Sequence, residues 1–309
     1  MSTPRTLHLP AGVRRVTVGT SRGDFAALEA LPAAGACDRQ PALLIPGYTG
    51  SKEDFIPVLG PLASAGRRVI AIDLRGQYES PAAASPGGYR LAALAADVAL
   101  VAEALGSRHH AQDGWQRQTH LLGHSFGGLV ARELALSGAA RISSLTLMST
   151  GPGALTGPRA ETLAAVLAGL RMVAPADLPG EIKRLWDTML EPEARAEGVP
   201  AGIIGFLRSR MLSNCPVGLR AMAEILLSCP DRTSALAEKR PAPVLVVYGE
   251  NDDAWSPEIQ EEMAERLAAG RVCVPGAAHS PAVDAPETVA STLTSFWNAA
   301  ESARVKPVA

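Results

Sequence analysis

The eight residues Leu121-Leu122-Gly123-His124-Ser125-Phe126-Gly127-Gly128 constrain this chain more than any other stretch, because they set a serine on a turn that only small neighbours allow. An apolar run over 119–122 leads in, and Leu129, Val130, Leu134 and Leu136 lead out at helical spacing. The serine therefore lies where a strand turns sharply into a helix. Gly123 and Gly127 stand two residues to either side, where a side chain would collide with the opposite arm of the turn. The geometry lifts the hydroxyl clear of the backbone and points the positive end of the helix at whatever meets that oxygen. The glycines do not fit the G-x-G-x-x-G spacing of a dinucleotide loop, and no Lys-Ser/Thr pair follows for a phosphate loop.

Around this turn, short apolar runs alternate with helical patterns, the mark of a mostly parallel central sheet with helices on both faces. Residues 13–18 and 25–31 read as an opening antiparallel pair about Ser21-Arg22-Gly23. Residues 42–45, 69–74, 119–123, 142–149 and 244–248 read as central strands, with 272–274 as the last. Leu91, Leu94, Val98, Val101 and Leu105 recur at three- and four-residue steps, an amphipathic helix. Ser256-Pro257 opens another helix that Gly270 is expected to close. Residues 151–240 break the alternation. They offer four helical stretches (158–172, 177–195, 201–212 and 217–228) punctuated by prolines. The reading is a core of residues 1–150 and 241–309 with a helical cap, 151–240, inserted between two strands.

The 309 residues, 47% apolar, suffice for a large core, and a net charge of −2 without a basic run argues against nucleic acid as the main partner. The opening MSTPRTLHLPAGVRR has no apolar stretch of the kind a secretory leader carries. The longest apolar stretch, 91–105, is interrupted by Asp97 and Glu103 and does not suit a membrane span. Cys37, Cys215, Cys229 and Cys273 form no C-x-x-C pair and read as small buried hydrophobes, free thiols that suit a reducing cytosol. His109-His110 falls in a polar loop and reads as solvated, not as a metal site. The expectation is a cytoplasmic monomer or homodimer that acts on a small molecule, without nucleic acid, membrane, metal or other cofactor.

G-x-S-x-G on a strand-to-helix turn is a nucleophile elbow, and from about residue 25 to 297 the chain resembles the α/β-hydrolase superfamily. A neutral serine needs an adjacent base, itself oriented by a carboxylate, and in this superfamily the chain order is serine, acid, histidine. Gly249-Glu250-Asn251-Asp252 resembles the family's G-x-x-D acid loop. That favours Asp252, with Asp253 one residue late as the alternative. Gly276-Ala277-Ala278-His279 resembles its G-x-x-H segment. His8, His109, His110 and His120 precede the serine and His124 belongs to the elbow, so His279 alone lies downstream. One oxyanion donor would be the backbone N–H of Phe126. Pro46-Gly47-Tyr48-Thr49-Gly50-Ser51 resembles the family's H-G-x-x-G-S segment, which implies the N–H of Tyr48 as the other. Here Pro46 replaces the usual histidine, so that residue's brace on the loop is missing. The Tyr48 phenol reads equally as a site group or an apolar wall. Asp73-Leu74-Arg75-Gly76-Gln77 also resembles a family segment and reads as a charge pair and tight turn supporting the site, with Asp73 as a remote alternative for the catalytic acid. Tyr48, Phe126, Trp186 and Trp255 are the expected substrate contacts.

The resemblance implies a serine hydrolase that cleaves an ester, thioester or lactone of a small hydrophobic substrate through an acyl-enzyme. Serine at position 125 disfavours the aspartate-nucleophile relatives, haloalkane dehalogenases and epoxide hydrolases. Acyltransferases, C–C hydrolases and perhydrolases share the triad and stay open. A non-catalytic ligand receptor on the same fold is the alternative from another class, and the intact triad argues against it. Apolar cap residues beyond those needed for packing should line a chamber over Ser125 that favours medium-sized hydrophobic acyl groups.

Overall fold

The computed structural model describes residues 2–32, 39–107 and 118–305. Its centre is an eight-stranded sheet in the order β1-β2-β4-β3-β5-β6-β7-β8. The strands are β1 (Val13–Thr20), β2 (Gly23–Ala30), β3 (Ala42–Ile45), β4 (Val69–Ile72), β5 (Thr119–His124), β6 (Ile142–Met148), β7 (Val244–Gly249) and β8 (Gly270–Val274). β1 and β2 form an antiparallel hairpin, β2 runs antiparallel to β4, and the other neighbours are parallel. All four residues of β3 and all four of β4 are buried, which is why these strands read as unbroken apolar runs.

Side-chain alternation divides the core into two layers. Leu43 and Leu121 face a layer covered by α2 (Leu91–Ser107), α3 (Phe126–Ser137) and α10 (Pro257–Arg266). Leu44 and Leu122, one residue on, face the opposite layer beneath α1 (Ile56–Ser64) and α12 (Pro286–Val305). Because every parallel strand runs the same way, the loops after β3, β5, β7 and β8 open at one end of the sheet. This is where an open α/β sheet places its ligand crevice.

Between β6 and β7 the chain is helical: α4 (Gly157–Arg171), α5 (Leu178–Leu185), α6 (Glu191–Ala196), α7 (Ala201–Ser213), α8 (Pro216–Ser228) and α9 (Thr233–Lys239). The single helix expected over 177–195 is divided into α5 and α6 by a π turn, Trp186–Leu190. Pro192 cannot donate to the carbonyl four residues back, and the widened turn just before it carries that carbonyl away from the ring. α9 escapes the sequence pattern because its seven residues bury only Thr233 and Leu236. α4–α7 and the start of α8 share an apolar centre of their own, with Leu170, Leu178, Ile182, Trp186, Leu207 and Leu219 in contact.

Three smaller expectations are corrected. Ala268, at φ 48°, takes the left-handed position after α10, while Gly270 already opens β8. β4 stops at Ile72, because Asp73 turns into the charge network described below. Cys215, Cys229 and Cys273 are free, but Cys273 is exposed on β8 where a buried thiol was expected. Cys37 and His109-His110 lie outside the described residues. Among the described residues, no helix is long and apolar enough to cross a membrane.

Candidate active site

Ser125 sits between β5 and α3 with φ 54° and ψ −121°, a strained conformation for a residue with a side chain, costing about 1–3 kcal/mol. The turn is held by the Ser125 N–H, which donates to Met148 O at 2.9 Å, and by its closely packed glycines. A Cβ on Gly123 would lie 2.2 Å from Gly127 O, and one on Gly127 would lie 2.5 Å from Ile45 O. The crowding against the opposite arm that the sequence implied is present at Gly123, whereas at Gly127 it comes from the end of β3.

The Ser125 hydroxyl lies 3.0 Å from His279 Nε2, and His279 Nδ1 lies 2.8 Å from Asp252 Oδ1. With Nδ1–H donating to the carboxylate, Nε2 is left as the acceptor for the serine proton. Backbone stitching brings the two distant loops together: Glu250 N–H donates to Val274 O and Asn251 N–H to Ala277 O. Gly249 makes the approach possible, since a Cβ there would meet Ala278 O at 2.1 Å. Asp252 is buried and also accepts from Ala254 N–H at 3.0 Å and Gln260 Nε2 at 2.9 Å. Burial alone would raise its pKa, but the hydrogen bond and charge of His279, with the Ala254 and Gln260 bonds, hold the carboxyl below its usual range. Asp253 turns outward instead and makes a two-pronged ion pair with Arg159 of α4, at 2.9 and 2.8 Å.

His124 is buried beside Ser125 and His279 and donates Nε2–H to His279 O at 2.7 Å. Burial and the adjacent His279 push its pKa down to about 3, so the ring stays neutral and braces the histidine loop.

Opposite the serine, a Cβ on Gly47 would lie 3.0 Å from Ser125 Cβ, so this glycine lets the loop after β3 close on the elbow. Gln77 Nε2 donates to Gly47 O at 2.9 Å. This is a brace from another strand end, on a loop that Pro46 leaves without the usual histidine. Asp73 Oδ1 accepts the Lys52 N–H at 2.8 Å, and its other oxygen pairs with Lys52 Nζ at 2.7 Å. Burial, opposed by Lys52 and reinforced by Glu53, pushes the Asp73 carboxyl up to about 7. The expected Asp73–Arg75 pair is not made: Arg75 reaches Asp97 on α2. The Phe126 N–H belongs to the first residue of α3, where amides have no acceptor within the helix.

A cavity of about 460 Å³ opens over Ser125, His279 and Tyr48. Leu163, Leu185, Met189, Met211 and Leu226 give it an apolar wall from α4, α5, the π turn, α7 and α8, and Arg159 and Asp253 also line it. Burial of the Tyr48 ring drives its phenol pKa upward, so the hydroxyl stays protonated at any physiological pH.

Residues 42–292 match the sequence pattern of the alpha/beta hydrolase family. The chain belongs to the α/β-hydrolase family. Over 241 residues it is 28% identical to the pimeloyl-[acyl-carrier protein] methyl ester esterase of Aeromonas hydrophila, covering 76% of this chain and 87% of that protein. A shorter match of 115 residues, 41% identical, covers 37% of this chain and 40% of a protein of Variovorax paradoxus named for carbamate hydrolysis. A thermophilic esterase from Thermogutta terrifontis superposes with a TM-score of 0.65 at 26% identity, over 93% of this chain and 99% of that one. This α/β-hydrolase is an enzyme, and the three relatives just described are named as esterases or as a hydrolase.

Two expected substrate contacts of this α/β-hydrolase are corrected. Trp186 is fully buried in the centre of the helical segment, its Nε1–H donating to Glu191 at 2.8 Å, and it does not line the cavity. The Phe126 ring is fully buried in the α2–α3 layer, which leaves only its backbone at the site. Tyr48 and Trp255 do line the cavity, and Trp255 is held by Ala154 O at 3.3 Å. Sequence reasoning placed Gln77 in a supporting turn without finding its partner, and missed Gln260. A lone glutamine after a strand or inside a helix carries no pattern that marks its partner.

Proposed function

We propose that the protein is a serine esterase whose substrate is an uncharged ester with a hydrophobic acyl group. Ser125 attacks the carbonyl while His279 takes its proton, and Asp252 keeps the imidazole in the required tautomer and balances its positive charge. The N–H groups of Tyr48 and Phe126 receive the oxyanion. His279 then returns the proton to the leaving alcohol, and water, activated by the same imidazole, releases the acyl group. The observation that carries this reading is the unbroken Asp252–His279–Ser125 chain of hydrogen bonds, at 2.8 and 3.0 Å, with Ser125 and His279 lining the cavity.

Residues 151–240 act as the cap. The apolar wall from its helices supports an acyl pocket, and Arg159 and Asp253 neutralise each other where they line it, which fits a substrate without charge at that point. The methyl ester esterase among the relatives fits a simple alcohol leaving group. The test is labelling with a fluorophosphonate and turnover of p-nitrophenyl esters. Wild type should be labelled at Ser125, and Ser125→Ala should lose both labelling and several orders of magnitude of turnover. Near wild-type hydrolysis by Ser125→Ala would remove the assignment.

A further inference from the structure

We propose that Arg210 and Asp54 are positioning residues for the oxyanion hole: an ion pair through which the cap helix α7 fixes the loop carrying the Tyr48 amide. The inference rests on the serine esterase reading of the site. Arg210 is fully buried, and its Nη1 donates to Asp54 Oδ1 at 2.7 Å and reaches Ser51 Oγ at 3.5 Å. Its other nitrogen, Nη2, donates to Ser2 O. Asp54 is also buried, and its second oxygen accepts the Ser51 N–H at 3.2 Å. That oxygen would lie 2.6 Å from a Cβ on Gly50, so the carboxylate bears directly on the loop backbone. Gly50 N–H in turn donates to Gly47 O at 3.1 Å, closing a turn whose two central residues are Tyr48 and Thr49.

The same helix reaches the other end of that turn. Asn214, at the end of α7, accepts the Tyr78 N–H at 3.1 Å, and the Phe206 ring meets Tyr78 edge-on at 5.6 Å. Tyr78 follows Gln77, whose amide holds Gly47 O at 2.9 Å. α7 therefore grips the loop twice, at Ser51 through Arg210 and Asp54, and at Gly47 through Tyr78 and Gln77. An apolar pair would seal this interface with less desolvation. What the ion pair adds is direction, because a planar guanidinium fixes the orientation of the carboxylate it meets. The Tyr48 amide has work to do only once the oxyanion forms, so a shifted loop should slow the chemical step and leave substrate binding nearly intact.

The experiment compares Asp54→Asn, Arg210→Met and Arg210→Lys with wild type in three readouts: kcat and KM on a p-nitrophenyl ester, inhibition by an arylboronic acid, and thermal unfolding. Asp54→Asn keeps the side-chain shape, but the new amide must set a donor against either Ser51 N–H or Arg210. The kcat of this variant should fall about 10- to 100-fold with KM within about threefold. The boronate, whose tetrahedral adduct on Ser125 places an oxygen in the hole, should lose affinity by a similar factor. Arg210→Lys should recover part of the kcat that Arg210→Met loses. Where Arg210→Met does not fold, Asp54→Asn alone decides. A folded Asp54→Asn with unchanged kcat and boronate affinity overturns the proposal, and so does a rise in KM with kcat unchanged. If instead Ser125→Ala remains active and boronate fails against wild type, the esterase reading itself has failed, and the positioning role falls with it.

Discussion

Exchanging Asp252 for asparagine changes one atom at the site, and the structure shows why that atom cannot be accommodated. Asp252 Oδ1 accepts from His279 Nδ1 and from Ala254 N–H, while Oδ2 accepts from Gln260 Nε2. All three partners donate, so an asparagine amide group must face a donor whichever way it is placed. With NH₂ on the Gln260 side, two amide nitrogens oppose each other. Gln260 cannot simply flip, because its Oε1 already accepts Thr150 N–H at 3.1 Å and its Nε2 donates to Trp255 O at 2.7 Å. With NH₂ on the His279 side, the imidazole must carry its proton on Nε2, which then points at the Ser125 hydroxyl and cannot accept its proton. The equivalent change in a serine protease triad lowers kcat about 10⁴-fold, which corresponds to about 5 kcal/mol of barrier. Asp253→Asn breaks only the exposed pair with Arg159, worth at most about 1 kcal/mol, and should stay within about tenfold of wild type. Steady-state hydrolysis of a p-nitrophenyl ester by both variants, with melting temperatures as the folding control, separates them. A crippled Asp253→Asn beside a near wild-type Asp252→Asn would refute the assignment and the hydrogen-bond reasoning behind it.

Gly123→Ala places a methyl group 2.2 Å from Gly127 O and 2.6 Å from Gly128 Cα, backbone that no rotamer can clear, so it should cost at least about 1–3 kcal/mol and abolish turnover. Gly202→Ala in α7 meets no atom within 4 Å and should raise stability by about 0.5–1 kcal/mol; equal melting temperatures for the two variants would disprove this account of the elbow. Burial would raise the Glu301 pKa, but hydrogen bonds from His120 and Arg67 overcome it and hold the carboxyl at about 2, against 4.5 unpaired. Its contribution is therefore complete above pH 4.5 and lost as pH falls toward 2, about 2 kcal/mol after discounting for its partial exposure. Urea melts of wild type and Glu301→Gln should converge over that window, and a constant gap would contradict the linkage. Across a chain-length series of esters, kcat/KM should rise by up to about 0.8 kcal/mol per methylene until the cavity is full; acetyl esters being best would show that no acyl pocket exists.

The sequence by itself determined the strands and the turn at Ser125, because both are local. The apolar run of β5 and the helical spacing of α3 lie within a few residues of Ser125, and the crowding at Gly123 follows from chain geometry alone, whereas that at Gly127 needs β3 beside it. The order of Asp252 and His279 behind the serine was legible through resemblance. The G-x-x-D spacing favoured Asp252 over its neighbour, and the tertiary structure places Asp252 against His279. Adjacent residues on a turn point in opposite directions, and which one faces inward depends on where the loops after β7 and β8 meet. Trp186 and Phe126 were misjudged for a related reason. A large apolar side chain reads the same whether it fills a helical core or walls a cavity, and its neighbours across the fold decide which. The partners that brace the loop after β3 could not be read from the chain. Gln77, Asp54 and Arg210 come from three separate elements, and a hydrogen bond spanning more than 150 residues, as between Arg210 and Asp54, leaves no periodicity in the chain. It exists only once residues 151–240 have folded against the loop after β3.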